Sequence, residues 1–284
     1  MRLLILGGSG MLGHELWRSL STQHEVWVTL RRPIAEFSAY QLFTSAKSIQ
    51  VHDITGDKTV GQSLVQVKPD AVINCVGLIK QHDSASDEGL MRRVNADFPH
   101  RLAKRCAEFG ARLIHFSTDC VFAGTKGNYT EDDPADATDL YGQTKHHGEV
   151  AEPHCITLRS SVIGPEISSS LALLNWFIRQ RGETIRGVTR AIYSGFTTIE
   201  MARIVERILT NHPSLSGVWQ LASEPISKYN LLKLCQAKLD WEGTIEPDDA
   251  FVCDRSLDGS RFNQLTGYQP PSWDAMITEL AETL

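Results

Sequence analysis

The chain of 284 residues carries 28 Lys and Arg against 34 Asp and Glu, a formal charge of −6, with 42% apolar and 22% charged residues. At about 100–200 residues per domain, this length fits one large domain or two small ones, and the composition excludes disordered, collagenous and coiled-coil classes. A net acidic chain argues against a nucleic-acid partner. The longest apolar stretch, Leu171 to Ile178, is broken by Asn175 and falls far short of the ~20 residues that span a bilayer.

Met1-Arg2 and the apolar run Leu3 to Leu6 resemble the start of a signal peptide. Gly7 and Gly8 end that run below the ~7–15 residues of a secretory apolar segment. The expectation is a soluble, cytoplasmic protein without a membrane partner. Six scattered cysteines (75, 106, 120, 155, 235 and 253) form no C-x-x-C pair and read as reduced thiols. Ten histidines supply no H-E-x-x-H, so no metal site is expected.

In chain order, apolar and β-branched runs predict strands at Arg2–Leu6, Glu25–Leu30, Ser48–His52, Ala71–Val76, Ala111–Ser117 and Cys155–Arg159. Between the first two, Leu12, Leu16 and Leu20 mark one face of a helix. Val94, Phe98, Leu102 and Cys106 do the same over roughly 88–109. Nearly all-apolar strands alternating with helices predict an α/β fold, a doubly wound parallel sheet of Rossmann type. After Arg159 the rhythm changes. Helices are predicted near 170–181, 197–210, 227–239 and 272–283, with a short strand at Val218–Leu221 and a polar loop at Asp248–Gly259. This divides the chain into a dinucleotide-binding domain over 1–160, borrowing part of 185–215, and a substrate-binding lobe over 161–284.

Gly7-Gly8-Ser9-Gly10-Met11-Leu12-Gly13 lies between a predicted strand and a predicted helix. Glycines there allow a tight turn, close approach of a pyrophosphate to the backbone, and close helix–sheet packing, while the helix N-terminus offers free N–H groups to the anion. Gly7, Ser9, Gly10, Met11, Leu12 and Gly13 are therefore expected to bind a dinucleotide. Where an NAD enzyme places an acid after its second strand, this chain has Arg31 and Arg32. Guanidinium groups bind a 2′-phosphate that a carboxylate would repel, which favours NADP(H) over NAD(H). Asp53, with Ile54 beside it, is placed to meet the adenine, although a loop Asp is also a routine turn former.

Tyr141 and Lys145 form Y-x-x-x-K, which puts both side chains on one helix face. An ammonium beside a phenol favours the phenolate and is expected to lower the Tyr pKa, making Tyr141 a candidate proton donor to a carbonyl. With the glycine turn and Ser117-Thr118-Asp119, this pair resembles the extended short-chain dehydrogenase/reductase superfamily. Within it, Ser117-Thr118-Asp119-Cys120-Val121-Phe122-Ala123-Gly124, Tyr141-Gly142-Gln143-Thr144-Lys145-His146-His147-Gly148-Glu149 and the closing Gly267-Tyr268-Gln269-Pro270-Pro271-Ser272-Trp273 are similar to the dTDP-4-dehydrorhamnose reductase group. The resemblance covers essentially the whole chain.

The resemblance implies that Tyr141 donates the proton, and that Lys145 holds the nicotinamide ribose and tunes Tyr141. It implies that Thr118 bonds the substrate oxygen, with Asp119 beside it at the sugar, and that Cys75, Val76 and Gly77 lie along the cofactor. Asn95 is a further candidate. Pro99 lacks an N–H and leaves the Asn95 carbonyl unpaired in its helix, in a region that in the superfamily holds a water linking the catalytic Lys to solvent. Two departures fall in the substrate pocket: Cys120 replaces the group's Tyr, and Val162 replaces its sugar-stacking Trp. The implied activity is NADPH-dependent reduction of a nucleotide-linked 4-keto-6-deoxyhexose, within polysaccharide biosynthesis. Two alternatives are an NAD-linked epimerase or dehydratase and a non-catalytic subunit resembling the regulatory subunit of a methionine adenosyltransferase. Superfamily analogy also implies a homodimer through helices 88–109 and 141–152.

Overall fold

Residues 3–6 are all buried, and they alternate between two apolar layers. Leu3 and Ile5 pack into one cluster, Leu4 and Leu6 into another. A strand buried on both faces needs helices on both sides, and the computed structural model, which describes residues 1–80, 87–167 and 170–284, has that arrangement. The first half runs β1 (Arg2–Leu6), α1 (Met11–Leu20), β2 (Glu25–Leu30), β3 (Ser48–Gln50), α2 (Asp57–Val67), β4 (Ala71–Asn74), α3 (Glu88–Arg92), α4 (Phe98–Glu108), β5 (Arg112–Phe116), α5 (Leu140–His147) and β6 (Cys155–Arg159). The second half runs β7 (Val162–Ile163), α6 (Leu173–Arg179), β8 (Thr184–Tyr193), β9 (Phe196–Thr197), α7 (Thr198–Asn211), β10 (Gly217–Gln220), β11 (Ile226–Ser227), α8 (Lys228–Lys238), β12 (Thr244–Asp254), α9 (Ser260–Thr266) and α10 (Trp273–Ala281).

The main sheet has seven strands in the order β10-β6-β5-β4-β1-β2-β3, all parallel. Strand order reverses between β1 and β4. The crevice beyond the carboxyl ends of those strands is where open α/β sheets bind ligands, and it is where the glycine turn and Cys75-Val76-Gly77 emerge.

The predicted helix over 88–109 is one continuous run with a defect. A π turn, Arg93–Asp97, separates α3 from α4, and the Phe98 N–H bonds to the Arg93 carbonyl. The cause is Pro99, which cannot supply the next α-helical N–H. The expected loop at Asp248–Gly259 is corrected: its first part, to Asp254, extends β12, which pairs in parallel with β8. That strand is a sheet edge, exposed along most of its length, so it carries no apolar alternation for a sequence reading to detect.

The division at 160 is crossed twice. Strand β10 completes the main sheet beside β6, and α7 packs on α1. The cluster containing Leu3, Leu16 and Val28 continues through Ile204 and Ile208 into Leu231, Trp241, Ile245 and Trp273. The second lobe, built on the β11-β8-β12 sheet, therefore shares a core with the first. Among the described residues no helix is long and apolar enough to cross a membrane.

Candidate active site

The glycine turn is held open for an anion. Gly7 sits at φ +80°, in the left-handed region, where its N–H donates to Thr29 Oγ1 at 3.1 Å. A Cβ on Gly13 would lie 2.2 Å from the Gly7 carbonyl oxygen, so only glycine lets α1 start this close to the turn. Gly10 precedes α1 and contributes no side-chain cap, leaving first-turn N–H groups free to receive phosphate oxygens. A dinucleotide fits this cradle.

Two small cavities continue from it. A groove of about 210 Å³ is lined by Gly7, Ser9, Gly10, Arg31, Ile54 and Cys75-Val76-Gly77-Leu78, among others. A narrower passage of about 150 Å³ shares residues 75–78 and adds Leu12, Tyr141 and Lys145. Of the two arginines, only Arg31 lines the groove. Arg32 instead pairs with Glu36 at 3.1 Å and lies 5.1 Å from the Phe37 ring centre. Asp53 is not among the residues lining the groove, and its Oδ1 accepts from the Thr55 N–H at 2.9 Å and the Thr55 hydroxyl at 2.6 Å, the turn-forming arrangement of a loop Asp.

Asn95 is buried, and its amide brackets one peptide unit. Oδ1 accepts from the Leu78 N–H and Nδ2 donates to the Leu78 carbonyl, both at 2.9 Å. The side chain thus fixes the loop after β4 that lines both cavities. Through these two bonds Asn95 orients the loop that lines the groove.

Asp139 caps α5, accepting from the Gly142 N–H at 3.0 Å, and so sets the first turn on which Tyr141 stands. One turn later Lys145 is buried, its ammonium donating to the Phe116 carbonyl at 2.6 Å. The expectation that Lys145 would lower the phenol's pKa is corrected. Burial raises the Tyr141 pKa above its ordinary value, Cys120, Asp119 and Asp139 push the same way, and a hydrogen bond with Thr118 opposes them. Burial also pulls Lys145 down to about 8, against the attraction of Glu149 and Cys75. The free site therefore holds a protonated phenol.

On the far side of Tyr141 a cleft of about 460 Å³ opens between the lobes. Met11, Thr118, Asp119, Cys120 and Val162 line it with Tyr141, so the substrate residues expected from sequence converge there, and Met11 joins them instead of the phosphate groove. The Thr118 hydroxyl donates to Asp119 Oδ1 at 3.1 Å and accepts from the Cys120 N–H at the same distance. Burial, reinforced by Asp119, pushes the Cys120 thiol up to about 12, so it sits there as a neutral group.

Several further residues build the site, of which Glu149 ends the Tyr141–Glu149 run that carries the family resemblance, while Lys80, Arg255, Lys228, Tyr193 and Phe251 stand outside any motif. Lys80 bonds to Asp139 at 2.8 Å and lies 5.6 Å from the Tyr141 ring centre. Glu149 accepts from the Ser117 hydroxyl and from Nε and Nη2 of Arg159, in a buried pair under the active-site helix. Arg255, Lys228, Tyr193 and Phe251 reach the cleft from the second lobe. Among the described residues no group of three or more His, Cys, Asp and Glu could hold a metal.

The parallel sheet, its glycine turn and the Tyr/Lys pair at the switch crevice define a protein of the extended short-chain dehydrogenase/reductase type. The chain belongs to the RmlD substrate binding domain family, whose model matches residues 1–169. It is 33% identical over 151 residues to a dTDP-4-dehydrorhamnose reductase of Streptomyces griseus, covering 53% of this chain and 44% of that protein. It is 32% identical over 152 residues to methionine adenosyltransferase 2 subunit beta of Rattus norvegicus, covering 53% and 42%. The chain thus spans about half the length of these curated relatives. Among solved structures, dTDP-4-dehydrorhamnose reductase from Bacillus anthracis in complex with NADP superposes with a TM-score of 0.81 at 20% identity, covering 100% of this chain and 99% of that one.

Proposed function

We propose that the protein is an NADPH-dependent reductase acting on the ketone of a nucleotide-linked 4-keto-6-deoxyhexose. The observation that carries this reading is the position of Tyr141, which lines both the passage leading from the glycine turn and the cleft containing Thr118. A group in that position can act on a sugar in the cleft while touching a cofactor in the passage.

The cofactor, when bound, supplies the hydride. The α1 N-terminus would hold its pyrophosphate, Arg31 its 2′-phosphate and Lys145 its nicotinamide ribose. Thr118 and Tyr141 would meet the ketone oxygen. As charge develops on that oxygen, Tyr141 gives up its proton, and the Lys145 ammonium stabilises the phenolate left behind. The raised Tyr141 pKa suits a donor, since the phenol is fully protonated when the reaction begins. Cys120 and Val162 leave the sugar end of the cleft without a stacking ring, which supports a site that also admits bulkier keto-sugars, such as acetamido ones.

The test is NADPH oxidation with a panel of dTDP-, UDP- and GDP-linked 4-keto-6-deoxysugars. Turnover of at least one, abolished by Tyr141→Phe, is the expected result. The similarity to a methionine adenosyltransferase beta subunit supports a second, non-catalytic reading, which failure of every keto-sugar would favour.

A further inference from the structure

Strand β12 follows β8 residue for residue from Thr244↔Thr184 to Asp248↔Val188, then slips: Asp249, Ala250 and Phe251 stand opposite the single residue Thr189 before pairing resumes at Val252↔Arg190. The bulge is built, not frayed. The Ala250 N–H donates to Asp248 Oδ1 at 3.0 Å, and Thr189 Oγ1 donates to the Asp248 carbonyl at 3.1 Å. Bulges redirect side chains, and they concentrate beside ligand sites. Beyond this one, Phe251, Cys253 and Arg255 all line the cleft while Val252 and Asp254 between them do not, the alternation of a strand with one face on the ligand site.

Phe251 is 57% exposed. A single exposed Phe needs no explanation on an ordinary surface, but this one is presented to the substrate cleft by a hydrogen-bonded insertion. The other two aromatic side chains lining the cleft, Tyr141 and Tyr193, are only partly exposed. Phe251 is the most exposed aromatic among the described lining residues. Arg255, on the same strand face, fixes its guanidinium by donating from Nε to the Phe122 carbonyl at 2.8 Å. Lys228, exposed in the first turn of α8, lines the same cleft. An exposed aromatic ring and two cations lining one cleft match a flat heterocycle joined to a diphosphate.

We propose that Phe251 is the stacking platform for the nucleobase of a nucleoside diphosphate, with Arg255 and Lys228 receiving its phosphates. This assignment rests on the reading of the substrate as nucleotide-linked and adds how that nucleotide is held. Stacking uses the π-face that every base presents, so Phe251 supplies affinity without choosing between thymine and uracil.

The experiment is calorimetric titration of the full chain, with NADP⁺ present, using dTDP, UDP and inorganic pyrophosphate as probes. Phe251→Ala is expected to weaken dTDP and UDP alike by roughly five- to hundredfold, the range for loss of one aromatic–base stack. It should leave pyrophosphate and NADP⁺ affinity unchanged, and Phe251→Trp should restore the nucleotides. In turnover, Phe251→Ala should raise KM and leave kcat at saturation intact. Equal nucleotide affinity in wild type and Phe251→Ala overturns the proposal, as does a loss shared by pyrophosphate. If neither nucleotide binds wild type, the proposal and the nucleotide-sugar reading fall together. If nucleotides bind through Phe251 but no keto-sugar is reduced, the reductase reading alone falls.

Discussion

Gly148 and Asn95 meet so closely that a Cβ on the glycine would lie 1.9 Å from the Asn95 carbonyl oxygen. Two consequences of sequence converge at this point. Pro99 forces the π turn around Asn95, and the absence of a side chain at 148 lets the end of α5 rest on it. The helix bearing Tyr141 and Lys145 is thereby seated on the segment whose Asn95 side chain holds the cofactor loop. Gly148→Ala must push these elements apart. Overpacking of this kind costs about 1–3 kcal/mol, so denaturant unfolding should show a loss of that size. Turnover should fall further than stability alone explains. A variant as stable and active as wild type would show that this contact does not set the helix position.

Tyr141→Phe keeps the ring and removes the proton. NADPH affinity should stay close to wild type while turnover falls by about 10²–10⁴-fold. Fluorescence titration of NADPH beside a steady-state assay separates the two effects. Near-normal turnover would mean that another acid serves the ketone.

The Lys145 pKa of about 8 gives the reaction a pH limit of definite sign. The ammonium is present below that value and is lost above it, whereas the raised Tyr141 phenol stays protonated throughout. Turnover is expected to be level on the acid side of this pKa and to fall on the alkaline side by about tenfold per pH unit. Lys145→Arg keeps a charge at all accessible pH values, so whatever activity it retains should lack that alkaline limb. A limb of unchanged position in the Arg variant would assign it to another group.

The two arginines after β2 should separate. Arg31 faces the groove, while Arg32 is occupied by Glu36 and Phe37. A charge-assisted hydrogen bond contributes about 1.5–3 kcal/mol, so Arg31→Ala should cost NADPH tenfold or more in affinity and leave NADH nearly untouched. Arg32→Ala should change the ratio much less. The reverse order, measured by titrating both cofactors, would show that the Arg32–Glu36 pair opens to receive the phosphate.

Val162 lines the cleft, with Cys120 beside Arg255 across it. A Trp at 162 would narrow the cleft and present a flat apolar face. Val162→Trp should raise kcat/KM for dTDP-4-keto-rhamnose and lower it for an acetamido-4-keto-hexose nucleotide. A strong wild-type preference for the former, unaltered by the Trp, would contradict the assignment of this wall to the sugar.

The parts of the molecule legible in the sequence were those written in contiguous residues. β1, β2 and β6 coincide with their predicted limits because buried parallel strands are rich in apolar and β-branched residues along most of their length. The glycine turn and Y-x-x-x-K were readable because backbone geometry and helix pitch impose their spacing. The pairing of Arg32 with Glu36 and Phe37 was not legible because those residues lie in a short helix after Pro33 that has no periodic signature. The part of β12 from Asp248 to Asp254 gives no strand signal because an exposed edge strand has no core to pattern it. Lys80, Arg255 and Phe251 are brought to the site by tertiary packing alone, and no local spacing joins them to Tyr141.

The return of β10 to the main sheet governs how the chain can be made and divided. As the polypeptide is synthesised, six strands of the Rossmann sheet are complete once Arg159 has emerged, but the outer edge of β6 has no neighbour until Gly217–Gln220 follows. Until then β6 is an open row of N–H and C=O groups, a template for pairing with any other nascent strand. α1 likewise waits for α7 to cover Leu16 and Leu20. A fragment stopping at residue 169, the limit of the family match, would carry both defects permanently. It should be recovered mainly as aggregate, although every residue of its phosphate turn and its Tyr/Lys pair is present. The sheet and core of the first lobe are thus completed only by the second.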